Sequence, residues 1–188
     1  MSYWSAWATA LLWVAFILYW NAVAGAAAPN LSAESPTSRR VHVYLLWGCI
    51  LLALAVRFPP LDRRWLPASP AIAAIGLATQ ASSFLLAAWA RQHLGRNWSG
   101  AIATKVNHQL VRTGPYRVVR HPIYTGMLGM FLGTALASGE LHALIALAVM
   151  VLAYMRKIRL EERRLAEVFG GAYEDYRRRA WSLVPGLF

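Results

Sequence analysis

Apolar runs and short polar connections alternate along the whole chain. The runs are Tyr3 to Ala28, Val41 to Val56, Ala71 to Ala90, Ile123 to Leu136 and Leu141 to Met155. A helix crossing the hydrocarbon core needs about 20 mostly apolar residues. The first and third runs therefore predict full spans. The second is somewhat short, with Arg57 placed to snorkel at its end. The last two are shorter again and are separated only by Ala137-Ser138-Gly139-Glu140. They predict a tight helical hairpin, tilted or just reaching across. Pro29 to Arg40 and Phe58 to Pro70 are rich in turn formers and read as loops, and Arg91 to Arg120 is a long polar connection. Beyond Met155 the chain turns charged but keeps a helical pattern. Leu165, Val168 and Phe169 share one face, as on a helix lying on a membrane surface or under the protein. Gly170-Gly171 ends it, and Trp181 and Phe188 predict a tail that returns to an apolar surface.

Details inside the runs fit spans. Trp4, Trp7, Tyr19 and Trp20 flank the first run as an aromatic belt does. Thr79, Gln80, Ser82 and Ser83 are expected to face neighbouring helices, where hydroxyls and amides bond across an interface. Gly129 and Gly133 are spaced to let two helices approach closely. Cys49, the single cysteine, reads as a small buried apolar residue. The N-terminal MSYWSAW has no positive region, so the first run is expected to stay as a membrane helix rather than be cleaved.

Composition agrees with this pattern. The chain is 58% hydrophobic and 14% charged, against about 25% charged in soluble domains. Its formal net charge of +11 sits in the connections, which points to anionic lipid headgroups and away from nucleic acid. With five spans, one side collects 16 Lys and Arg and the other 3. By the positive-inside rule the N-terminus lies outside and the basic side faces the cytoplasm. The expected fold class is thus an all-α integral membrane protein of about five transmembrane helices. The last two form a hairpin, and a C-terminal cytoplasmic amphipathic helix follows. One membrane domain covers 1–188, with three apolar spans in 1–96 and the polar-rich half in 97–188. The sequence leaves the oligomeric state open.

Two polar blocks fall on the basic side. His108 to Gly126, HQLVRTGPYRVVRHPIYTG, holds two His, three Arg, two Pro, two Tyr and two Gly. Ionisable groups at the edge of a span are costly to keep and mark a functional site. Gly114-Pro115-Tyr116 reads as a turn, and Pro122 suits the first turn of the fourth helix. Tyr116, His121 and Tyr124 then cluster at the helix mouth. The second block, Arg156 to Arg164, brings Glu161 and Glu162 back toward it through the hairpin. Carboxylates bind ribose hydroxyls or amines, and aromatic faces attract sulfonium or ammonium. Trp98 is placed to cover such a site. Arg117 and Arg120 contact either lipid phosphates or the site, and His42, His93 and His142 belong to no constellation. No Gly-x-Gly-x-x-Gly follows a strand, so this is not a Rossmann dinucleotide site.

HQLVRTGPYRVVRHPIYTG followed by EERRLAEVFGGAYEDYRRR resembles the isoprenylcysteine carboxyl methyltransferases and related phospholipid methyltransferases. The likeness covers roughly Asn97 to Arg179. It implies an integral-membrane methyltransferase using S-adenosylmethionine on a lipophilic methyl acceptor, above all a prenylated cysteine carboxylate. It implies cofactor contacts at His108, Gln109, Leu110, Val111, Tyr116, His121, Pro122, Ile123, Tyr124 and Glu161. It places Lys157 near a basic position serving the substrate carboxylate, with Arg156 and Arg159 as alternatives. Glu161, Glu162 or a His becomes a base if the acceptor must lose a proton. Methylation of a phospholipid amine is the alternative reaction. A sterol-reductase-like enzyme using NADPH and a non-enzymatic scaffold or transporter subunit are the readings from other classes.

Overall fold

The computed structural model describes residues 3–26, 30–33, 35–55, 60–99, 103–105 and 109–186. His108, Arg57 and Phe188, each given a part above, lie outside them. Among the described residues, six α-helices carry the fold: α1 (Tyr3–Ala22), α2 (Pro36–Ala55), α3 (Pro70–Leu94), α4 (Pro122–Ser138), α5 (Leu141–Phe169) and α6 (Gly171–Arg179). The framework is helical, as expected; a short antiparallel pair, β1 (Asn30–Ala33) with β2 (Ala103–Lys105), accompanies it.

Local chemistry sets the helix starts. Pro36 opens α2 behind Ser35, whose hydroxyl accepts from the Ser38 N–H at 3.2 Å. Proline is pre-organised for the first helical position and serine for the cap. The stretch expected to be loop up to Arg40 is therefore already helical. Ser69 and Pro70 open α3 in the same way, with the Ser69 hydroxyl accepting from the Ile72 N–H. Pro122 opens α4 as expected. Gly139, at φ 63°, makes the left-handed turn between α4 and α5, a conformation that suits glycine. The fifth apolar run and the charged segment after it form one 29-residue helix, α5.

The glycine stripe of α4 packs on α3, which is its principal neighbour. A Cβ on Gly133 would stand 2.5 Å from the Gln80 nitrogen and 2.6 Å from the Gly76 oxygen. One on Gly126 would stand 2.7 Å from the Ser83 oxygen. Backbone atoms cannot retreat as side chains can, so only glycine permits this approach. Polar bonds tie α1 into the same bundle: Trp13 Nε1 donates to Thr134 Oγ1 (3.0 Å) and Gln80 Nε2 to the Thr9 carbonyl (3.2 Å). Thr79 and Ser82 do not reach across as expected. They bond to their own helix, at the Ile75 and Thr79 carbonyls. Trp4 and Trp7 are exposed, whereas Tyr19 turns inward and donates to the Ala88 carbonyl at 3.1 Å.

Among the described residues, three helices are long and apolar enough to cross a membrane: Trp4–Ala22, Pro70–Asn97 and Leu141–Phe169. The 17 residues of α4 span about 26 Å at 1.5 Å per residue, just under a core of about 30 Å. At one end of the bundle the chain after α6 lies along residues 118–121. Trp181 N–H donates to the Val118 carbonyl (3.0 Å), and the Arg120 and His121 N–H groups donate to the Trp181 (2.7 Å) and Ser182 (3.1 Å) carbonyls. Thr125 Oγ1 donates to the Leu183 carbonyl at 2.8 Å. The tail thus returns, as expected, but mainly through its backbone. Trp181 itself stays 48% exposed while Leu183 is buried.

Candidate active site

His121 is the cap residue of α4, yet its ring makes no cap bond. The backbone bonds to the tail hold its main chain, and the ring turns toward α5. Its Nε2 lies 3.2 Å from Glu162 Oε1 and its Nδ1 3.6 Å from Glu161 Oε2. Tyr124, one turn further along α4, donates its hydroxyl to Glu161 Oε1 at 2.7 Å. The hairpin expectation is borne out here, because these contacts join the first turn of α4 to the far half of α5.

The two carboxylates then part company. Glu162 accepts from Arg120 Nε (2.9 Å) and Nη2 (2.8 Å), and Arg177 Nε approaches it at 3.8 Å. Arg120 also donates to the Arg177 and Ala180 carbonyls. Glu162 is therefore the hub that joins α5, the 118–121 segment and the tail. Glu161 instead faces a cavity of about 470 Å³, within the range of small-molecule sites.

Residues of all six helices line this cavity, Tyr176 from α6 among them. Phe16 to Asn21 come from the end of α1, Arg39 to Ile50 from α2, and Leu94 from the end of α3. His121, Ile123, Tyr124 and Met127 come from the start of α4. Tyr154, Lys157, Glu161, Arg164, Leu165 and Val168 share a face of α5. Of the residues singled out from the sequence, Gln109, Leu110, Val111, Tyr116, His121, Ile123, Tyr124, Lys157 and Glu161 line it; Pro122, Arg156 and Glu162 do not. The three basic candidates separate by burial, since Arg156 and Arg159 are exposed and Lys157 is 7% exposed. Leu165 and Val168 border the cavity, Leu165 half-buried and Val168 exposed.

Aromatic groups form a ladder across this space. The His121 and Tyr124 rings stack at 5.6 Å, Tyr124 and Tyr154 at 4.7 Å, and His42 meets Tyr154 edge-on at 5.3 Å. Lys157 Nζ lies 5.5 Å from the Tyr124 ring centre. Trp98 lines the cavity beneath Trp20 (5.6 Å) and the buried Arg91 (4.2 Å). Tyr116 donates to the Ala90 carbonyl at 3.4 Å, and Tyr176 donates to the Tyr116 carbonyl at 2.6 Å. Burial pushes both tyrosine hydroxyls well up, so they remain neutral donors. The sequence reading missed Arg39 and His42, although their i, i+3 spacing near the start of α2 was the available signal.

These features define a class: a helical membrane-type protein whose bundle end encloses a pocket of carboxylate, cation and aromatic faces. A family model described as phospholipid methyltransferase matches residues 71–172, more than half of the chain. The chain belongs to that family. Among its relatives is the protein-S-isoprenylcysteine O-methyltransferase B of Arabidopsis thaliana, 30% identical over 87% of this chain and 82% of that one. Another is methanethiol S-methyltransferase 2 of Bradyrhizobium diazoefficiens, 40% identical over 45% of this chain. The chain spans only 32% of the latter's length. The solved eukaryotic intramembrane Ras methyltransferase, isoprenylcysteine carboxyl methyltransferase, shares the fold at TM-score 0.55 and 23% identity. That match covers 81% of this chain and 54% of that one.

Proposed function

We propose that this protein is a membrane methyltransferase that uses S-adenosylmethionine to methylate the carboxylate of a lipophilic acceptor, a prenylated cysteine or a similar acid. The observation that carries the reading is one cavity with two kinds of wall. Glu161, His121, Tyr116 and Tyr124 line one part, with Lys157 over the Tyr124 ring, and mostly apolar residues of α1 and α2 line another. The reactions named for the two relatives above, both methyl transfers, support it.

The donor set fits the cofactor. Glu161 supplies an anionic partner for its amine or ribose, and the Tyr124 and Tyr154 faces suit a cation. Gln109, Leu110 and Val111 border the same space. When bound, the cofactor supplies an electrophilic methyl group on sulfonium. The protein's own contribution is arrangement. Tyr124 holds Glu161 in position, and Glu162 with Arg120 holds His121. Lys157 offers a cation to the acceptor carboxylate. A carboxylate is already ionised at neutral pH, so no side chain has to take a proton. Catalysis then rests on alignment and exclusion of water. Glu162 is here a positioning residue rather than the base envisaged from the sequence, because it points away from the cavity into the Arg120 cluster.

We place all five long helices across the bilayer as a single domain, with the N-terminus outside and the site facing the cytoplasm. The basic connections on the side of the site support that orientation. The test is a product assay in detergent or vesicles. Methyl transfer from labelled S-adenosylmethionine to a farnesylated cysteine acid, and not to phosphatidylethanolamine, is expected. Transfer to the amine alone overturns the carboxylate assignment.

A further inference from the structure

The stripe of α2 that borders the cavity has its own polarity. Arg39, His42, Val43, Leu46, Trp47 and Ile50 line it, at the spacing that marks one helical face. The cationic and imidazole groups stand at the start of the stripe, and only apolar groups follow. Across the cavity α5 repeats the order in reverse along its length: Tyr154, then Lys157, then Glu161. His42 meets Tyr154 at 5.3 Å, and Tyr154 stacks on Tyr124, the ring over which Lys157 sits. His42 is therefore next to the Lys157 end of the cavity, with Arg39 one helical turn away. The two other arginines at the cavity are engaged elsewhere: Arg120 with Glu162 at 2.8 Å and Arg164 with Glu167 at 3.5 Å.

We propose that Arg39 and His42 of α2 bind the anionic head of the methyl acceptor together with Lys157, and thereby set its preference for an acid. This rests on the methyltransferase reading above and adds to it a specificity wall on another helix. Lysine is a point charge, whereas arginine offers a planar fork that matches a carboxylate. With Arg39 and His42 on one helix and Lys157 on another, two walls close on the head, and the tail lies along Val43, Leu46, Trp47 and Ile50. An uncharged head would leave these donors poorly paired, and that is the usual basis of strong discrimination.

The test compares a farnesylated cysteine acid with its carboxamide on the full-length protein, wild type against Arg39→Gln and His42→Gln. Displacement binding of the acid and the amide is measured along with methyl transfer to the acid, so the result does not depend on turnover alone. The expected outcome is a roughly tenfold rise in KM and Kd for the acid in Arg39→Gln, equivalent to about 1.4 kcal/mol. The preference for acid over amide should fall by the same factor, while the Kd for S-adenosylmethionine stays within about twofold. His42→Gln should show the same pattern to a smaller degree. Unchanged acid affinity and an unchanged acid-to-amide ratio in both variants would overturn the inference and leave the methyltransferase reading standing. Failure of the wild-type protein to bind S-adenosylmethionine would strike the earlier reading instead.

Discussion

Glu161 and Glu162 are adjacent in sequence but should fail in opposite ways. Glu162 accepts two bonds from Arg120, at 2.8 and 2.9 Å, and stands 3.2 Å from His121. Its side chain is 14% exposed and that of Arg120 10%. Breaking a buried ion pair by removing one partner costs about 3–5 kcal/mol. Some solvent reaches this pair, and Arg177 at 3.8 Å is 55% exposed and adds little, so the lower end applies. Glu162→Ala is therefore expected to cost about 3 kcal/mol, a fall in Tm of about 6–12 °C for a chain of this size. Glu161 makes one short bond, to the Tyr124 hydroxyl, with a side chain 21% exposed. Glu161→Ala should cost about 1.5 kcal/mol of stability, the lower end for one hydrogen bond to a charged group. It should weaken S-adenosylmethionine binding by about 10–100-fold, the value of a charge-assisted contact of about 1.5–3 kcal/mol. Thermal melts in one detergent at one scan rate, paired with equilibrium binding, decide the matter. The reasoning is refuted if Glu162→Ala melts with the wild type, or if Glu161→Ala binds the cofactor as well as Glu162→Ala does.

Gly133→Val should abolish folded yield, because its Cβ would meet the Gln80 and Gly76 backbones; monodisperse elution at wild-type yield would contradict the α3–α4 packing. Tyr176→Phe removes the donor to the buried Tyr116 carbonyl and should cost about 1–3 kcal/mol, read as a lower Tm. The same tyrosine predicts a pH effect. Burial raises its folded pKa, so its contribution is full below the unfolded value of about 10 and is lost as pH rises beyond that. Stability should fall above about pH 10 less steeply in Tyr176→Phe than in the wild type, by up to about 1.4 kcal/mol per pH unit. Lys157→Met should raise the acceptor KM at least tenfold and leave cofactor affinity unchanged, which steady-state kinetics with each substrate varied would show.

The His121 and Glu161 wall of the cavity was largely legible in the chain because its signals are local. Pro122 marks the start of α4, and a helical period carries Glu161 back to His121 and Tyr124. The same reading brought Glu162 to the site beside Glu161 as a candidate base, since adjacency in sequence hides the 100° turn that separates neighbours on a helix. It took PNLSAESPTSRR for a loop by composition, although Ser35-Pro36 is a helix start. That misreading hid Arg39, which only becomes a cavity residue once it is helical, and with it the partner that would have given His42, at the start of the second span, a constellation. Trp20 looked like a belt residue because an aromatic facing lipid and one facing a pocket are the same letter in the same place. The return of residues 181–183 onto 118–125 is held chiefly by backbone carbonyls, which carry no side-chain signature at all.

The proposed function requires a methyl donor held at the Glu161 end of the cavity. Saturable binding of labelled S-adenosylmethionine to the purified full-length protein measures this most directly. The account predicts one site per chain, strongly weakened by His121→Ala and Glu161→Ala and retained in Arg39→Gln. Absence of saturable binding to the folded wild-type protein, or binding indifferent to His121 and Glu161, would contradict it.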